Sequence, residues 1–374
     1  MVDLKAQYCS WLCASGAALL VASQGQAQEP ASVPPASDDR FATFMPYENR
    51  IQHRIDYSIW TSALSNFVIS MGPPLRKKPF NPPSVIGTRR QIGHNSIYRL
   101  DGSMVAFSFM NDEVRESFTE YRRDLESVAD TLDIQSIPRN EQLAYWLNLH
   151  NVAMVEQIAK NWPVRQPHEI EIGGVPLDEA KFITVEGVAL SPRDIRERIV
   201  YPNWKNPKVI YGFWRGEIGG PAMQRQAFDG RQVGDQLDRA AREFMNSRRG
   251  TEKRGSTLHV SRFFEEAAPF YFRNFEADLR RHLADYVEGE VLEMLEKTSA
   301  VEASLRERDI ADLAGGARDN GFFSGGRISR GVAILLAQRR AKLDYVDRKG
   351  LRQGQVIFSN IDLPGDPPNK GEVE

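Results

Sequence analysis

Three asparagines and a histidine, Asn140, Asn148, His150 and Asn151, occur within a short and otherwise apolar segment of the chain. The spacing of the apolar residues predicts a buried helix on which Asn148 and Asn151 share one face. A buried amide without a partner costs about 1–3 kcal/mol in a protein. The asparagines therefore indicate either a structural polar network or a set of ligand-binding residues that a bound molecule completes.

His150 is the only histidine embedded in this motif, and histidine is the usual general base near neutral pH. It is therefore a candidate catalytic residue. The remaining histidines are dispersed, without H-x-x-x-H or H-E-x-x-H spacing, so we expect no metal site and no cofactor.

A second candidate site is the glycine-rich turn R-G-E-I-G-G-P-A, from Arg215 to Ala222. Such a turn can point several backbone N–H groups at an anion, and Arg215 stands beside them. Glu217 can serve there as an acid or base, which makes it the second candidate catalytic residue, while Arg215 is a candidate ligand-binding residue. The phosphate-loop pattern G-x-x-x-x-G-K-[ST] is absent, so the turn does not indicate nucleotide binding.

The elements that must position these residues follow from periodicity and turn signals. At Ser191, Pro192 and Asp194 the sequence predicts a capping box that begins a helix. Helices are predicted at Ile55–Ile69, Asp112–Ala129, Arg139–Asn161, Ser191–Val200, Gly234–Asn246, after Ser261, through Ala277–Ala314 and at Ile328–Lys342. Strands are predicted at Ser96–Leu100 and Val105–Met110 as a hairpin across Asp101-Gly102, at Pro176–Ile183 and Thr184–Leu190 with Gly173-Gly174 marking one hairpin, at Asn206–Phe213 and at Thr257–Val260.

The mixture lacks a regular alternation of strand and helix, which favours an α+β fold with one helix-rich core, short antiparallel strands and hairpins, and a C-terminal helical extension. The predicted organisation is a signal peptide at 1–27, a disordered linker at 28–40, an α+β domain at 41–290, the helical extension at 291–361 and a disordered tail at 362–374.

The first 27 residues predict export to the periplasm or the outside of the cell. Lys5 precedes the apolar run Trp11–Ala22, which is too short to cross a bilayer, and the small residues Gly25 and Ala27 predict cleavage after Ala27. The two cysteines lie within this segment, so we expect an exported chain without a disulfide, a thiolate nucleophile or a Cys-ligated zinc. No later apolar stretch approaches 18 residues, so no transmembrane segment is expected.

The charge of the chain gives no support for nucleic-acid binding. It has 48 basic and 50 acidic residues, with a formal net charge of −2, and its basic clusters are short. A peptide, a glycan or a protein remains as the expected kind of partner.

Several motifs together resemble the domain of unknown function 547 family, whose activity is not settled. The resemblance covers about Arg54 to His282. It is strongest in N-E-Q-L-A-Y-W-L-N-L-H-N at Asn140–Asn151 and V-E-G-V-A-L-S-P-R-D-I at Val185–Ile195, with further similarity in V-I-Y-G-F-W at Val209–Trp214 and L-H-V-S-R-F-F at Leu258–Phe264.

The chain departs from that family at residues that could carry chemistry. Many relatives have a histidine about where Tyr211 stands and a Cys-containing C-P-P about where Gly220-Pro221 stands. If those residues support a thiol-based activity in relatives, this chain has lost it. Two hypotheses result: a catalytically degenerate domain that binds a peptide, glycan or protein partner, and a hydrolase of peptide or cell-wall bonds with His150 and Glu217 as acid-base residues.

Overall fold

The computed structural model describes residues 39–47, 53–77, 94, 96–317 and 329–351. All of them belong to one compact unit, residues 35–374. They form a helix-rich arrangement with short strand pairs, which confirms the predicted α+β fold class. The predicted signal peptide and the C-terminal tail lie outside the described residues, and the predicted domain boundaries stay predictions.

The described helices follow one another with short connections. In chain order they are α1 (Ser58–Phe67), α2 (Asp112–Thr131), α3 (Arg139–Asn161), α4 (Pro192–Asp194), α5 (Tyr201–Asn203), α6 (Val233–Asn246), α7 (Phe263–Tyr271), α8 (Phe275–Ala284), α9 (Gly289–Glu296) and α10 (Arg330–Arg348). A π-helical segment, Ile195–Val200, joins α4 to α5. Shorter 3₁₀ segments are Asp39–Phe44, Phe107–Phe109, Ile134–Ser136, Pro167–Glu169 and Pro207–Gly212.

The strands are short and form small separate sheets. They are β1 (Val68–Ser70), β2 (Ser103–Val105), β3 (Glu171–Ile172), β4 (Val175–Pro176), β5 (Ile183–Val185), β6 (Val188–Leu190), β7 (Thr251–Arg254), β8 (Thr257–Ser261) and β9 (Ala300–Leu305). The pairs β1–β2, β3–β4, β5–β6 and β7–β8 are antiparallel, and β9 adds to β8 in parallel.

The centre of the fold is α3, whose bounds agree with the sequence prediction. From Glu141 to Glu156 every residue of this helix is buried, including Asn148, His150 and Asn151. A helix that is buried on all sides cannot leave its polar side chains to water. Each of them needs a partner within the protein.

The helix that begins at Ser191 also starts as the sequence predicts. The Ser191 hydroxyl accepts the N–H of Asp194 and the Asp194 carboxylate accepts the N–H of Ser191, so the capping box is complete. Beyond this turn the helix widens into the π-helical segment. Such segments are frequent at functional sites, and this one carries Arg196, which is described below.

Several sequence predictions about local structure are wrong. Ser96–Leu100 forms a turn, Val105–Met110 contains the 3₁₀ segment Phe107–Phe109, and Pro176–Ile183 has strand residues only at its two ends. The apolar run before the glycine-rich turn is the 3₁₀ segment Pro207–Gly212 rather than a strand. The Asp101-Gly102 turn does not join a hairpin, because β2 pairs instead with β1, whose residues lie more than thirty positions earlier. The predicted helical stretch Ala277–Ala314 contains α8 and α9 but then the strand β9.

None of the described helices has the length and hydrophobicity needed to cross a membrane.

Candidate functional site

The amides of Asn148 and Asn151 bind the backbone of two neighbouring loops. Asn148 Nδ2 donates to the carbonyl of Phe228 at 2.8 Å, and its Oδ1 accepts the Phe228 N–H at 3.0 Å. Asn151 Nδ2 donates to the carbonyl of Gly212 at 2.9 Å, and its Oδ1 accepts the N–H of Trp214 at 3.0 Å. Each amide therefore supplies the two hydrogen bonds that a neighbouring strand would make to this backbone in a regular sheet.

His150 is buried between Asn151 and Arg196, and both of its ring nitrogens are occupied. Arg196 donates to Nε2 at 3.0 Å, which leaves the proton on Nδ1, and Nδ1–H donates to Asn151 Oδ1 at 3.1 Å. Burial and the Arg196 charge lower the pKa of His150 to about 3. The imidazole is neutral near pH 7 and has no contact with solvent.

Arg196 connects this buried histidine to two carboxylates. The guanidinium is fully buried and contacts Asp178 at 2.7 Å and Glu266 at 2.9 Å. Although burial opposes ionisation, Arg196 holds the pKa of Asp178 below its usual range. Burial likewise opposes ionisation of Glu266, but Arg196 and Arg215 lower its pKa to about 2. The cluster therefore contains fixed charges of both signs.

Arg215 lies on the solvent side of the same cluster. Its guanidinium pairs with Glu266 and stands 5.2 Å from the centre of the Phe263 ring. About a fifth of its side chain is exposed, at 22%. Arg215 thus links the buried charges around Arg196 to the surface.

Glu217, two residues further along the turn, has a different environment. His168 Nδ1 stands 3.1 Å from Glu217 Oε1, and Arg308 donates to His168 Nε2 at 2.8 Å. Burial raises the pKa of Glu217 to about 7. Burial and the nearby Arg308 lower the pKa of His168, so this histidine is neutral at pH 7 and donates its Nδ1 proton to Glu217.

Arg215 and Glu217 line an open pocket with a volume of about 340 Å³. Its walls come from the glycine-rich turn, the start of α7 and the segment that follows β9. The charged residues that line it are Arg215, Glu217, Arg262, Glu265, Glu266, Arg306, Glu307 and Arg308. Ser261 also lines it, but the hydroxyl is engaged with the carbonyl of Gly219 and the N–H of Phe263.

The structure thus brings some of the predicted site residues together and separates others. Arg215 and Glu217 share the pocket. His150 and Asn151 lie behind it: His150 reaches the pocket residue Glu266 through Arg196, and Asn151 binds the N–H of Trp214, the residue before the turn. Asn148 is buried against another loop, and Asn140 is exposed near the start of α3.

Residues 134–245 match the family model of the Protein of unknown function, DUF547. The predicted resemblance to that family is confirmed for this segment, which contains all six predicted site residues. No curated protein matches the chain, and no solved structure does.

The DUF547 segment does not supply the whole pocket. Glu266, Arg306 and Arg308 follow it in the sequence and complete the walls from α7 and the segment after β9. Inside the DUF547 segment, Tyr211, the position at which a histidine is expected in many relatives, is buried, and its hydroxyl is 3.0 Å from His282 Nε2. Gly220, in the stretch at which a Cys-Pro is expected in relatives, is one of the residues that line the pocket.

Sequence reasoning missed Arg196, Asp178, Glu266 and His168. The sequence could have predicted a buried ion pair for Arg196. An arginine on the inner side of the helix that begins at Ser191 needs a carboxylate partner if that helix is buried. The others lie on separate elements, and no local spacing marks them. Among the residues that the structure describes, no group of three or more His, Cys, Asp or Glu side chains is placed to hold a metal ion.

Proposed function

We propose that this chain is an exported protein that binds a peptide, glycan or protein partner at the pocket beside the Arg215–Pro221 turn, and that it does so without turnover. The ligand class that the pocket favours is one with an accessible carboxylate. Export is supported by the sequence of residues 1–27 alone. Mass spectrometry of the secreted or periplasmic product tests it, with Gln28 as the expected first residue; a product that retains Cys9 and Cys13 contradicts it.

The state of Arg308 carries the proposal, because the pocket as a whole is lined by four arginines and four glutamates. Arg215 pairs with Glu266, and Arg262 pairs with Glu265. Arg308, in contrast, donates to a neutral imidazole and makes no ion pair within the described part of the chain. An arginine that makes no ion pair is a strong partner for a carboxylate, because the two can form charge-assisted hydrogen bonds.

Glu217 strengthens this preference near neutral pH. Since its pKa is about 7, roughly half of the Glu217 side chains are protonated at that pH and then repel an anion less. A protonated carboxyl can also donate a hydrogen bond to a ligand carboxylate. The pocket should therefore bind a carboxylate more tightly as the pH falls from 7 towards 4.5, the ordinary pKa of glutamate.

The position of His150 argues against turnover through that residue. Both ring nitrogens are engaged, and the side chain is fully buried behind Arg196. A general base must come within hydrogen-bond reach of the proton that it removes. His150 reaches no solvent-exposed group in this arrangement.

A binding experiment with matched peptides tests the proposal. Calorimetric titration of trialanine with a free carboxyl group, and of the same peptide as its C-terminal amide, compares a ligand with and without the anion. We expect the free acid to bind more tightly, and Arg308→Ala to weaken it about ten-fold, the equivalent of one charge-assisted hydrogen bond. Arg281→Ala is the control, because Arg281 is 76% exposed on α8 and does not line the pocket. Equal affinities for the acid and the amide, or equal effects of the two substitutions, contradict the proposal.

The alternative is a hydrolase in which Glu217 acts as the acid-base residue, and one observation favours it. A carboxyl group with a pKa of about 7 is well matched to proton transfer at neutral pH. Incubation with peptidoglycan fragments and peptides, followed by mass spectrometry of the products, tests it. Hydrolysis by the wild type that Glu217→Gln abolishes would favour the alternative and overturn the non-catalytic proposal.

A further inference from the structure

A second pocket lies on the other side of the loop that forms the first. It has a volume of about 450 Å³ and is enclosed by α1, the β1–β2 pair, residues 222–226 and α6. Nothing in the sequence motifs marks it. Gly219 and Gly220 line the first pocket and Ala222 to Gln226 line the second, so successive residues of one loop separate the two.

The second pocket has a mainly polar lining, which includes the charged residues Arg225, Arg239 and Glu243. Hydroxyl and amide side chains make up much of its lining, whereas Ala222 and Met223 are its apolar side chains and none of the described lining residues is aromatic. The hydroxyls and amides are those of Thr61, Ser65, Ser70, Ser103, Gln224, Gln226 and Gln236. Several already bond within the protein: Ser65 and Ser103 donate to the carbonyls of Ser62 and Met223, and Thr61 and Ser70 accept the N–H groups of Ala227 and Gly72. The first two hydroxyls can still accept a hydrogen bond, and the last two can still donate one.

Two charged residues of α6 add a donor and an acceptor to this lining. Arg239 and Glu243 are four residues apart, a spacing at which they share a helix face. They do not pair with each other: Glu243 Oε2 binds Arg249, and Arg239 is exposed without an ion pair among the described residues. Both residues line the pocket, and Glu243 Oε1 has no hydrogen-bond partner within the described part of the chain, so it keeps acceptor capacity.

The position of Glu243 is fixed by buried parts of the fold. The Arg249 side chain that holds it is 1% exposed and also donates to the carbonyl of Gly220 at 3.2 Å. Gly102 has a φ of +70°, and a Cβ there would stand 2.5 Å from Arg249 Nη1, so the backbone approaches the guanidinium as only glycine allows. The carboxylate is thus held by a rigid support instead of a flexible surface contact.

We propose that this second pocket binds an oligosaccharide. A sugar hydroxyl donates and accepts at once, so a ring of hydroxyls is complementary to this mixture of hydroxyls, amides, a guanidinium and a carboxylate. An acyl chain would meet few apolar side chains in this lining, and a nucleotide base would find no aromatic face on which to stack. A single phosphate would fill only a small part of the volume, and Glu243 would oppose its attraction to Arg225 and Arg239.

This inference does not depend on the first pocket, since it uses different side chains and a different ligand chemistry. Calorimetric titration and saturation-transfer NMR of the purified chain with chitotetraose and with maltotetraose provide the test. We expect at least one of these neutral sugars to bind. Arg239→Ala should weaken that binding about ten-fold, which corresponds to the loss of one hydrogen bond to a charged group.

A pair of α1 variants tests whether the sugar occupies the pocket itself. Ser65 lines the pocket and is exposed, so Ser65→Trp should fill it and abolish binding. Ser62→Trp is the matched control, because Ser62 is exposed on the same helix but is not a lining residue. Chemical denaturation of both variants establishes that each is folded.

The inference is overturned if neither sugar binds, if binding survives in Ser65→Trp, or if the two tryptophan variants lose binding equally. The trialanine titration reports on the first pocket alone. Loss of the proposed carboxylate binding with retention of sugar binding, or the reverse, therefore separates the two proposals.

Discussion

Replacing Asn148 by alanine should destabilise the protein strongly, because it leaves two buried backbone groups without partners. Asn148 accepts the N–H of Phe228 and donates to its carbonyl, and Phe228 is 2% exposed. Each buried group that loses its partner costs about 1–3 kcal/mol. The sum is about 2–6 kcal/mol, and some relaxation of the loop around Phe228 reduces the upper end. We expect a loss of about 2–4 kcal/mol in the free energy of unfolding.

Urea denaturation followed by circular dichroism measures this loss, with the midpoint shifted and the slope of the transition unchanged. Asn140→Ala is the matched control, since Asn140 belongs to the same helix but is exposed. Its effect should stay within about 0.5 kcal/mol. Asn151→Ala should cost at least as much as Asn148→Ala, because it leaves the carbonyl of Gly212, the N–H of Trp214 and the Nδ1 proton of His150 without partners.

One result would refute this reasoning. If Asn148→Ala and Asn151→Ala both lose less than about 0.5 kcal/mol, water replaces the amides and the two side chains do not stabilise the loops. The asparagines would then be free to serve a ligand. The structural interpretation would have to be abandoned.

Three further outcomes follow from titrating groups and from a helix cap. Folding raises the pKa of Glu217 from 4.5 to about 7, so its contribution to stability is complete below pH 4.5 and is lost as the pH rises to 7. Over that range, the unfolding free energy of the wild type should fall by about 3 kcal/mol relative to Glu217→Gln. Burial lowers the pKa of Lys342 from 10.5 to about 8, so stability should rise with pH in this case. The unfolding free energy of the wild type should increase by up to about 3 kcal/mol relative to Lys342→Met as the pH rises from 8 to 10.5. Unfolding of each pair in buffers across these ranges gives the differences, and parallel curves for wild type and variant would contradict either assignment. Ser191→Ala removes the cap acceptor and should cost about 1 kcal/mol in urea denaturation, whereas an unchanged midpoint would mean that the capping box does not contribute.

Local signals in the sequence predicted the scaffold of the site well. The bounds of α3 are those predicted, because the apolar period is long and Pro163 follows the last turn. Ser191 caps its helix because Ser, Pro and Asp occupy positions at which each residue type has a specific role. Both signals depend on a few neighbouring residues and on no distant contact.

The errors occurred where distant contacts decide the structure. The apolar run at Pro207–Gly212 is too short for its periodicity to separate a strand from a helical turn, and Asn151 fixes its backbone from another element. β9 is a strand because β8 offers it a parallel partner about forty residues earlier in the chain. β1 and β2 likewise pair across a long separation, which the Asp101-Gly102 turn gave no means of foreseeing.

The candidate site was predictable in part for the same reason. Arg215 and Glu217 belong to one short turn, and their shared location follows from the sequence alone. The groups that set their properties come from elsewhere: Glu266 from α7, His168 from a 3₁₀ segment and Arg308 from the segment after β9. The pKa of about 7 for Glu217 results from burial among these distant residues, and no residue near Glu217 in the sequence predicts it.

The polar residues of α3 share one physical task, which connects the buried motif to the pocket. Gln142 donates to the carbonyls of Gln135 and Ile137, Asn148 holds Phe228, and Asn151 holds the backbone around Trp214. These loops form no strand ladder and therefore depend on side-chain amides to satisfy their backbone groups. Trp214 directly precedes the turn that lines the pocket, so the contact from Asn151 fixes where that turn begins. The buried amides of this motif can thus fix the position of a turn that lines the pocket without lining the pocket themselves.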